Sequence, residues 1–563
     1  MENTVSPLVA FKRLAKTATY SAIATAVFWA SQADAQLLNN ITMGNPKALA
    51  LGNAVTADPP GIDSIHFNPA GLAKIKGRQR EVKLLMAKMD LKSKFGEPTR
   101  PDDTVKQTYY NMNSDCQSQY PANDANAWQQ CWKVDTDVAD RSSSSGDPVL
   151  MLPFVGLTDL PFLAVPTGGI AFEDSSHGWT FGTAVYTPEG VGYSRDDSDP
   201  GAYQGIRVGV TRLTYFSPTI AIPVTDTLSV GAGINFSYQG MGIQTKFRAP
   251  LITTKFIETI NSVLDTNGPI APLSILQPYD SVGLLEIEMD DYLSVGFNFG
   301  LLWEPYEWLS FGFAYRSEST SHLSGDFKMT NSNPFLATTS GLADLGLDNV
   351  LFLAGGAPFN AQKVEKGSVK LDYITPQNLS FGTSIRVLPQ LKVNVDLKWV
   401  EYSAWDTLDF KFDRNVDFLT LASVVNFAAG MDFADPNEMR IPRYYKDVWS
   451  MAFGAEYTMN DNLVLRAGYE PRTSAIPHDR TDLLFPISDA QLFSCGFGMQ
   501  FNKTTRIEGA FGYLKSSSNT AAGESRNANS NIEGDVVYNP YFSTPFKSET
   551  TAYLVALSLD QKF

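Results

Sequence analysis

The feature that most narrows the fold is a zigzag of side chains, repeated along the chain and separated by connections that are short and long in turn. From Leu228 to Tyr238 the even positions are Leu228, Val230, Ala232, Ile234, Phe236 and Tyr238, while Ser229, Gly231, Gly233, Asn235 and Ser237 lie between them. Alternate residues of a strand point to opposite faces, so this segment reads as a strand with one greasy face and one small, polar face. The pattern recurs in Leu309, Phe311, Phe313 and Tyr315, in Leu391 to Trp399, in Trp449 to Tyr457 and in Leu463 to Tyr469. A soluble sandwich alternates too, so alternation alone leaves two classes open.

The connections choose between them. Tight turns fall near Asp174 to Gly178, Pro223 to Asp226, Glu304 to Glu307, Leu388 to Gln390, Met459 to Asn462 and Asn502 to Thr504. Longer segments lie near 96–163, 193–206, 249–285, 328–366, 409–447, 472–489 and 515–548. Short and long connections alternate strictly, and their number implies an all-β, 14-stranded antiparallel transmembrane barrel with short periplasmic turns and long external loops. Both ends of the barrel are then expected on the periplasmic side. Tyr553, Val555, Leu557 and Leu559 alternate toward Phe563, and this strand is expected to close the barrel so that no edge is left in lipid. The terminal aromatic is similar to the signal read by the barrel-assembly machinery during insertion into outer-membrane lipid.

Composition agrees with a wall between two solvents. Aromatics make up 12% of the chain, glycines number 42 and mean hydropathy is -0.14, which is too polar for a bundle of spanning helices and rich in the residues that barrels use. A net charge of -16 with scattered basic residues argues against nucleic acid as a partner. At the N-terminus, Lys12, Arg13 and Lys16 precede an apolar stretch from Ala18 to Ala30 and a small-residue site, Ala33-Asp34-Ala35. Residues 1–35 therefore read as a signal peptide, the other reading being a single anchor for which the stretch is short. Cys116 and Cys131 share one polar segment, where a loop disulfide is expected. Cys495 alternates onto an apolar face and is expected to be an inert, lipid-facing thiol. His66, His177, His322 and His478 fall in separate turns or loops without a nucleophile, base and orienter grouping, so no enzymatic role, metal or cofactor is expected.

Residues 36–78 form no strand series. They contain Gly44-Asn45-Pro46-Lys47-Ala48-Leu49-Ala50-Leu51-Gly52-Asn53-Ala54 and Phe67-Asn68-Pro69-Ala70-Gly71-Leu72-Ala73. This segment resembles the plug of the long-chain fatty acid transporter family, the FadL and TodX type, with the barrel proper over 79–563. Ala314-Tyr315-Arg316-Ser317-Glu318, Gly325-Asp326-Phe327, Thr375-Pro376-Gln377 and Tyr402-Ser403-Ala404-Trp405 also resemble family segments. The resemblance implies passive uptake of a hydrophobic small molecule, through an external groove, a lumenal pocket and a plug that rearranges, in a monomer. It further implies an inward kink in the third strand that opens the wall beside Asn68, Pro69 and Ala70. That strand runs from Trp179 into Thr187-Pro188-Glu189-Gly190-Val191-Gly192. Proline removes a ladder donor and Gly190 and Gly192 permit a bend, although the same residues suit an ordinary strand end.

Two loop segments are unusually apolar for an external surface. One holds Phe256 and Ile260, the other Leu421, Val425 and Phe427, both at helix-like spacing. They read as an exposed cargo-binding groove, or as amphipathic helices packed on the rim. The polar strand faces send Arg316, Glu318, Arg386, Lys392, Asp396, Lys398, Glu456, Arg466, Glu470, Arg506 and Glu508 toward the lumen. A salt-bridged brace explains most such charges, and Arg316 is the first candidate for a cargo carboxylate. A general diffusion porin and a loop-based adhesin or receptor are the competing functions.

Overall fold

A computed structural model describes residues 40–97, 137–248, 276, 279–344, 361–428, 435–530 and 540–563. Residues 1–35, read above as a signal peptide, and Cys116, Cys131, Phe256 and Ile260 lie outside them. The described strands form a closed 14-stranded antiparallel barrel. In chain order they are strand 1 (Arg78–Phe95), strand 2 (Leu163–Asp174), strand 3 (Trp179–Ser194), strand 4 (Arg207–Phe216 and Thr219–Thr225), strand 5 (Leu228–Arg248), strand 6 (Ser281–Tyr306) and strand 7 (Leu309–Arg316 and Ser319–Asn331). Strand 8 (Val364–Thr375 and Asn378–Arg386), strand 9 (Leu391–Val400 and Thr407–Phe412), strand 10 (Glu438–Pro442 and Val448–Asn460), strand 11 (Leu463–Arg472), strand 12 (Ala490–Gln500), strand 13 (Thr505–Thr520) and strand 14 (Phe546–Lys562) complete the ring. Strand 14 pairs with strand 1 from Lys562↔Gln79 to Phe546↔Phe95, which leaves no edge.

The greasy sides of the zigzags face outward. Phe172, Phe297, Trp303, Tyr306, Phe381, Trp449 and Phe511 are each exposed large apolar side chains on this outer wall, a surface that only hydrocarbon solvates well. On strand 6 the apolar belt runs from Tyr306 up to Tyr292, and Asp290, Glu288 and Glu286 continue the outer face above it. Tyr292 thus marks the upper edge of the belt, where amphipathic aromatics are favoured.

The segment from Asn40 to Gly77 is a set of short helical turns, not strands. Asn45 caps Pro46–Ala50 by accepting from Ala48 N, and Asn68 caps Pro69–Lys74 by accepting from Ala70 N, each with proline just inside the helix. The segment meets strands all round the ring: Gly44 packs on Leu85 of strand 1, Leu51 and Gly52 on Gly454 and Gly468, and Pro69 on Gly231. It therefore fills the lumen. Two glycines permit that approach, since a Cβ at Gly300 would sit 2.1 Å from Asn68 Oδ1 and one at Gly312 would sit 2.1 Å from Thr56 O.

The outer half of the barrel has its own core. Phe327, Phe335, Phe410, Phe412 and Leu419 are buried together there, with helices Asn333–Asp344 and Asp417–Ala428 contributing. This corrects the reading of an exposed greasy groove at one of the two loops: the segment is helical, but Phe418, Leu419 and Leu421 turn into the core at 8%, 0% and 3% exposure. Side chains of Val425 and Phe427 are outside the description. His322 also differs from expectation, lying within strand 7 opposite Asp372 on strand 8. Strands 4, 7, 8, 9 and 10 are all interrupted, at 217–218, 317–318, 376–377, 401–406 and 443–447.

Candidate functional site

Inside the ring, above the N-terminal segment, lies an apolar cavity enclosing about 1310 Å³ of empty space, part of it open to solvent. Its walls include Val191, Val210, Met241, Tyr373, Val400, Trp405 and Leu408, and Phe485 and Ile487 of the connection after strand 11 also line it. His66 contributes from the N-terminal segment. Arg443 also lines the cavity and pairs with Asp482, and both are buried. Tyr445, in the break of strand 10, is buried and also lines the cavity.

Two cations in this cavity form no hydrogen bond with a carboxylate, although Glu189 stands opposite Arg212 across the ladder. Arg212, 5% exposed, donates to Thr375 Oγ1 at 2.9 Å, Ser319 Oγ at 3.1 Å, and Gln239 Oε1 and Ser294 Oγ at 3.3 Å. Arg316 donates to Asn378 Oδ1 at 2.9 Å and Asn40 Oδ1 at 3.3 Å, and contacts the His66 ring. All these acceptors are neutral, and among the described residues no carboxylate forms an ion pair with either guanidinium. His66 Nε2 meets Asn40 Oδ1 at 2.7 Å. Burial and the neighbouring Arg316 hold its imidazole well below the ordinary value, so it adds no charge. Glu189 supplies the one carboxylate lining the cavity, and its Oε2 is buried without a hydrogen-bond partner. With Arg443 neutralised by Asp482, two cations and one anion remain among the described lining residues, an excess that attracts a further anion more strongly at low dielectric.

Many of the other lumenal charges form ion pairs with one another. Lys392 bridges Asp58 at 2.6 Å and Glu456 at 2.9 Å, Lys398 meets Glu470 at 3.0 Å, and Arg466 joins Glu456 at 2.7 Å to Glu508 at 3.0 Å. Asp396 Oδ2 accepts from Val55 N and Thr56 N, each at 2.8 Å, and from Thr56 Oγ1 at 2.7 Å. These residues brace the N-terminal segment against the wall. Arg506 joins Glu508 at 2.8 Å, whereas Arg386 and Glu318 are both exposed.

Strand 3 departs from the regular ladder where the sequence placed its proline and glycines. It pairs with strand 2 only from Asp174↔Trp179 to Gly168↔Val185. On its other side the register slips between Tyr186 and Glu189, around Pro188. Thr42 Oγ1 donates to Thr187 O at 3.0 Å, and Gly190 also faces Thr42. Pro188 and Glu189 line the cavity, while Gly192 faces a hairpin outside the wall. Asn68 Nδ2 donates to Thr56 O at 2.7 Å and Leu301 O at 3.1 Å, which fixes Asn68-Pro69-Ala70 against strand 6. Leu421 does not line the cavity, and Cys495 is an exposed free thiol on the outer wall. Arg212 and His66 were not singled out from sequence. The alternation Val208, Val210, Arg212, Thr214 could have flagged the first, but no periodicity marks the second.

Comparisons with known proteins agree with this architecture. A long-chain fatty acid transport protein of Escherichia coli O6:H1 is 23% identical over 40% of this chain and 43% of its own length, and a putative outer membrane protein of Neisseria meningitidis is 22% identical over 39% and 41%. The match thus spans about two-fifths of each curated relative. Among solved structures, a Pseudomonas aeruginosa FadL homologue superposes with a TM-score of 0.62 at 16% identity, covering 95% of this chain and 100% of that one. The Pseudomonas putida toluene transporter TodX superposes at 0.54 and 12% identity, covering 94% and 98%. These two show the same fold. Residues 24–563 match the family described as Outer membrane protein transport protein (OMPP1/FadL/TodX), and the chain belongs to that family of the outer membrane.

Proposed function

We propose that this barrel takes up hydrophobic molecules carrying an anionic head group, long-chain fatty acids foremost, by passive passage across the outer membrane and without chemical change. The observation that carries the reading is the pair Arg212 and Arg316, buried in an apolar cavity and bonded only to neutral groups. The name of the Escherichia coli relative points to the same cargo. In this reading the exported chain, shorn of residues 1–35, is a monomer with both ends in the periplasm, and residues 36–78 are a plug whose Asn68-Pro69-Ala70 element and contacts with the bent third strand gate the way out.

The test compares oleate with oleyl alcohol, which shares its chain and lacks its charge. A charge-assisted hydrogen bond contributes about 1.5–3 kcal/mol, so Arg316→Gln and Arg212→Gln should each weaken saturable oleate binding about ten- to a hundredfold and leave the alcohol nearly unaffected. Equal losses for both probes would remove the anionic head group from the proposal. Free passage of sugars with no saturable oleate binding by the purified wild type would overturn uptake itself in favour of a porin.

A further inference from the structure

Pairing of strand 3 with strand 2 stops at Gly168↔Val185 and leaves strand 2 without a partner over Leu163 to Thr167 on that side. Such a break should be a hole in the wall. It is not empty: the hairpin Val149–Leu152 and Gly156–Asp159, part of the long connection between strands 1 and 2, forms its own two-stranded sheet outside the barrel ladder. Leu150 of this hairpin, 5% exposed, reaches into the cluster of Ile41, Leu85, Leu163 and Val165. Its backbone side is held where the strand-3 ladder has no strand-2 partner, with Gly146 N donating to Ser194 O at 2.8 Å and Ser194 N to Asp147 O at 2.9 Å.

The outer faces of strands 3, 4 and 5 are shaped to receive it. Gly192, Gly209, Gly240 and Gly242 face the hairpin, and a Cβ at Gly192 would lie 2.0 Å from Val149 O. Val149, Leu150 and Met151 are buried, and polar attachments join this packing: Met151 N donates to Thr211 Oγ1 at 3.1 Å and Tyr238 Oη to Met151 O at 3.4 Å. Arg207 Nη2 pairs with Asp159 at 2.7 Å and donates to Leu157 O at 2.9 Å, Glu288 Oε2 accepts from Leu157 N at 3.3 Å, and Tyr292 Oη accepts from Phe154 N at 3.2 Å. At the tip, Phe154 is 91% exposed and Val155 70% exposed, and Phe154 packs against Tyr292 in a tilted pair with ring centroids 5.0 Å apart. The tip thus rests at the upper edge of the apolar belt, where its side chains meet acyl chains.

We propose that the hairpin 149–159 is a shutter over the lateral gap between strands 2 and 3, and that cargo passes between lumen and outer leaflet only while it is lifted. Lifting breaks these polar bonds and uncovers the buried Val149, Leu150 and Met151, an apolar surface that lipid or cargo can cover in turn, and the greasy tip starts that competition. The inference rests on the uptake reading above.

A disulfide tests it, because a Cβ on Gly242 would lie 3.3 Å from Leu157 Cβ, close to the ~3.5–4.5 Å of a bridged pair. In cells of a Gram-negative host lacking its own such transporter, the variant carrying Leu157→Cys and Gly242→Cys should take up labelled oleate at least tenfold more slowly when oxidised than after reduction. The two single-cysteine variants serve as controls that reduction should not change. Asp159→Asn, which removes the Arg207 ion pair and disturbs no packing, should speed uptake severalfold and keeps the idea testable if the double variant folds poorly. Wild-type uptake with a lock that makes no difference, or with an Asp159→Asn variant that runs at the wild-type rate, would sink the shutter alone. A wild type that takes up no oleate would sink the uptake reading, and the shutter with it.

Discussion

Removing the carboxylate of Asp396 should loosen the N-terminal segment while leaving the barrel closed. One oxygen of this side chain accepts three hydrogen bonds from Val55 and Thr56, all between 2.7 and 2.8 Å. Hydrogen bonds to a charged group contribute about 1.5–3 kcal/mol each, and three that share one acceptor do not add fully. A loss of about 3 kcal/mol for Asp396→Ala is therefore the working figure, and the two backbone N–H groups left behind are free to find water once the segment shifts. At about 1.4 kcal/mol per factor of ten, the released population should rise on the order of a hundredfold. Single-channel recording in planar bilayers reads this directly: the wild type should be silent for most of the record, and the variant should show frequent openings. Leu397→Ala, whose side chain faces lipid on the same strand, controls for generic damage to the wall. Openings at the wild-type frequency in Asp396→Ala would mean that the segment is not held by these contacts, and the proposed plug would lose its main anchor.

Two further perturbations probe the same lumen. Gly312→Ala places a Cβ against the Thr56 carbonyl, a backbone atom that cannot rotate away; overpacking of this kind typically costs about 1–3 kcal/mol, which should lower the urea midpoint of the protein in detergent micelles. His66 binds its proton less readily in the folded state than its ordinary value of 6.5. The unfolded chain therefore takes up more protons as pH falls below that value, and stability should drop by up to about 1.4 kcal/mol per pH unit. The difference between the wild type and His66→Gln, followed by urea midpoint from pH 8 to pH 5, should carry this slope, and parallel curves would refute it.

The wall could be read from sequence because its determinants are local. Turn residues and alternation over five to ten positions set each hairpin, and the same parity sent Arg316 and Asp396 inward. Side-chain exposure in the loops depends instead on what packs against them. The apolar residues from Phe418 to Phe427 announced a helix, but nothing in their spacing says that Phe418 and Leu421 meet Phe247 and the outer-half core rather than water. The hairpin at 149–159 escaped notice for a related reason. Its strands are four residues long, and its partners, Thr211, Tyr238 and Glu288, lie 60 or more positions away. His66 became part of the cavity only because Asn40 and Arg316, 26 and 250 positions distant, converge on its ring.

The interruptions in strands 7, 8, 9 and 10 fall at the height of the cavity, which Ser317, Pro376, Tyr402, Trp405 and Tyr445 help to line. Residues in those gaps are released from the zigzag that the rest of each strand must obey, since no neighbouring ladder dictates which way they point. Insertions or exchanges there can reshape the chamber while the lipid-facing cylinder beneath keeps its register. One scaffold could in this way diversify its choice of passenger over evolution without relearning how to assemble in a membrane.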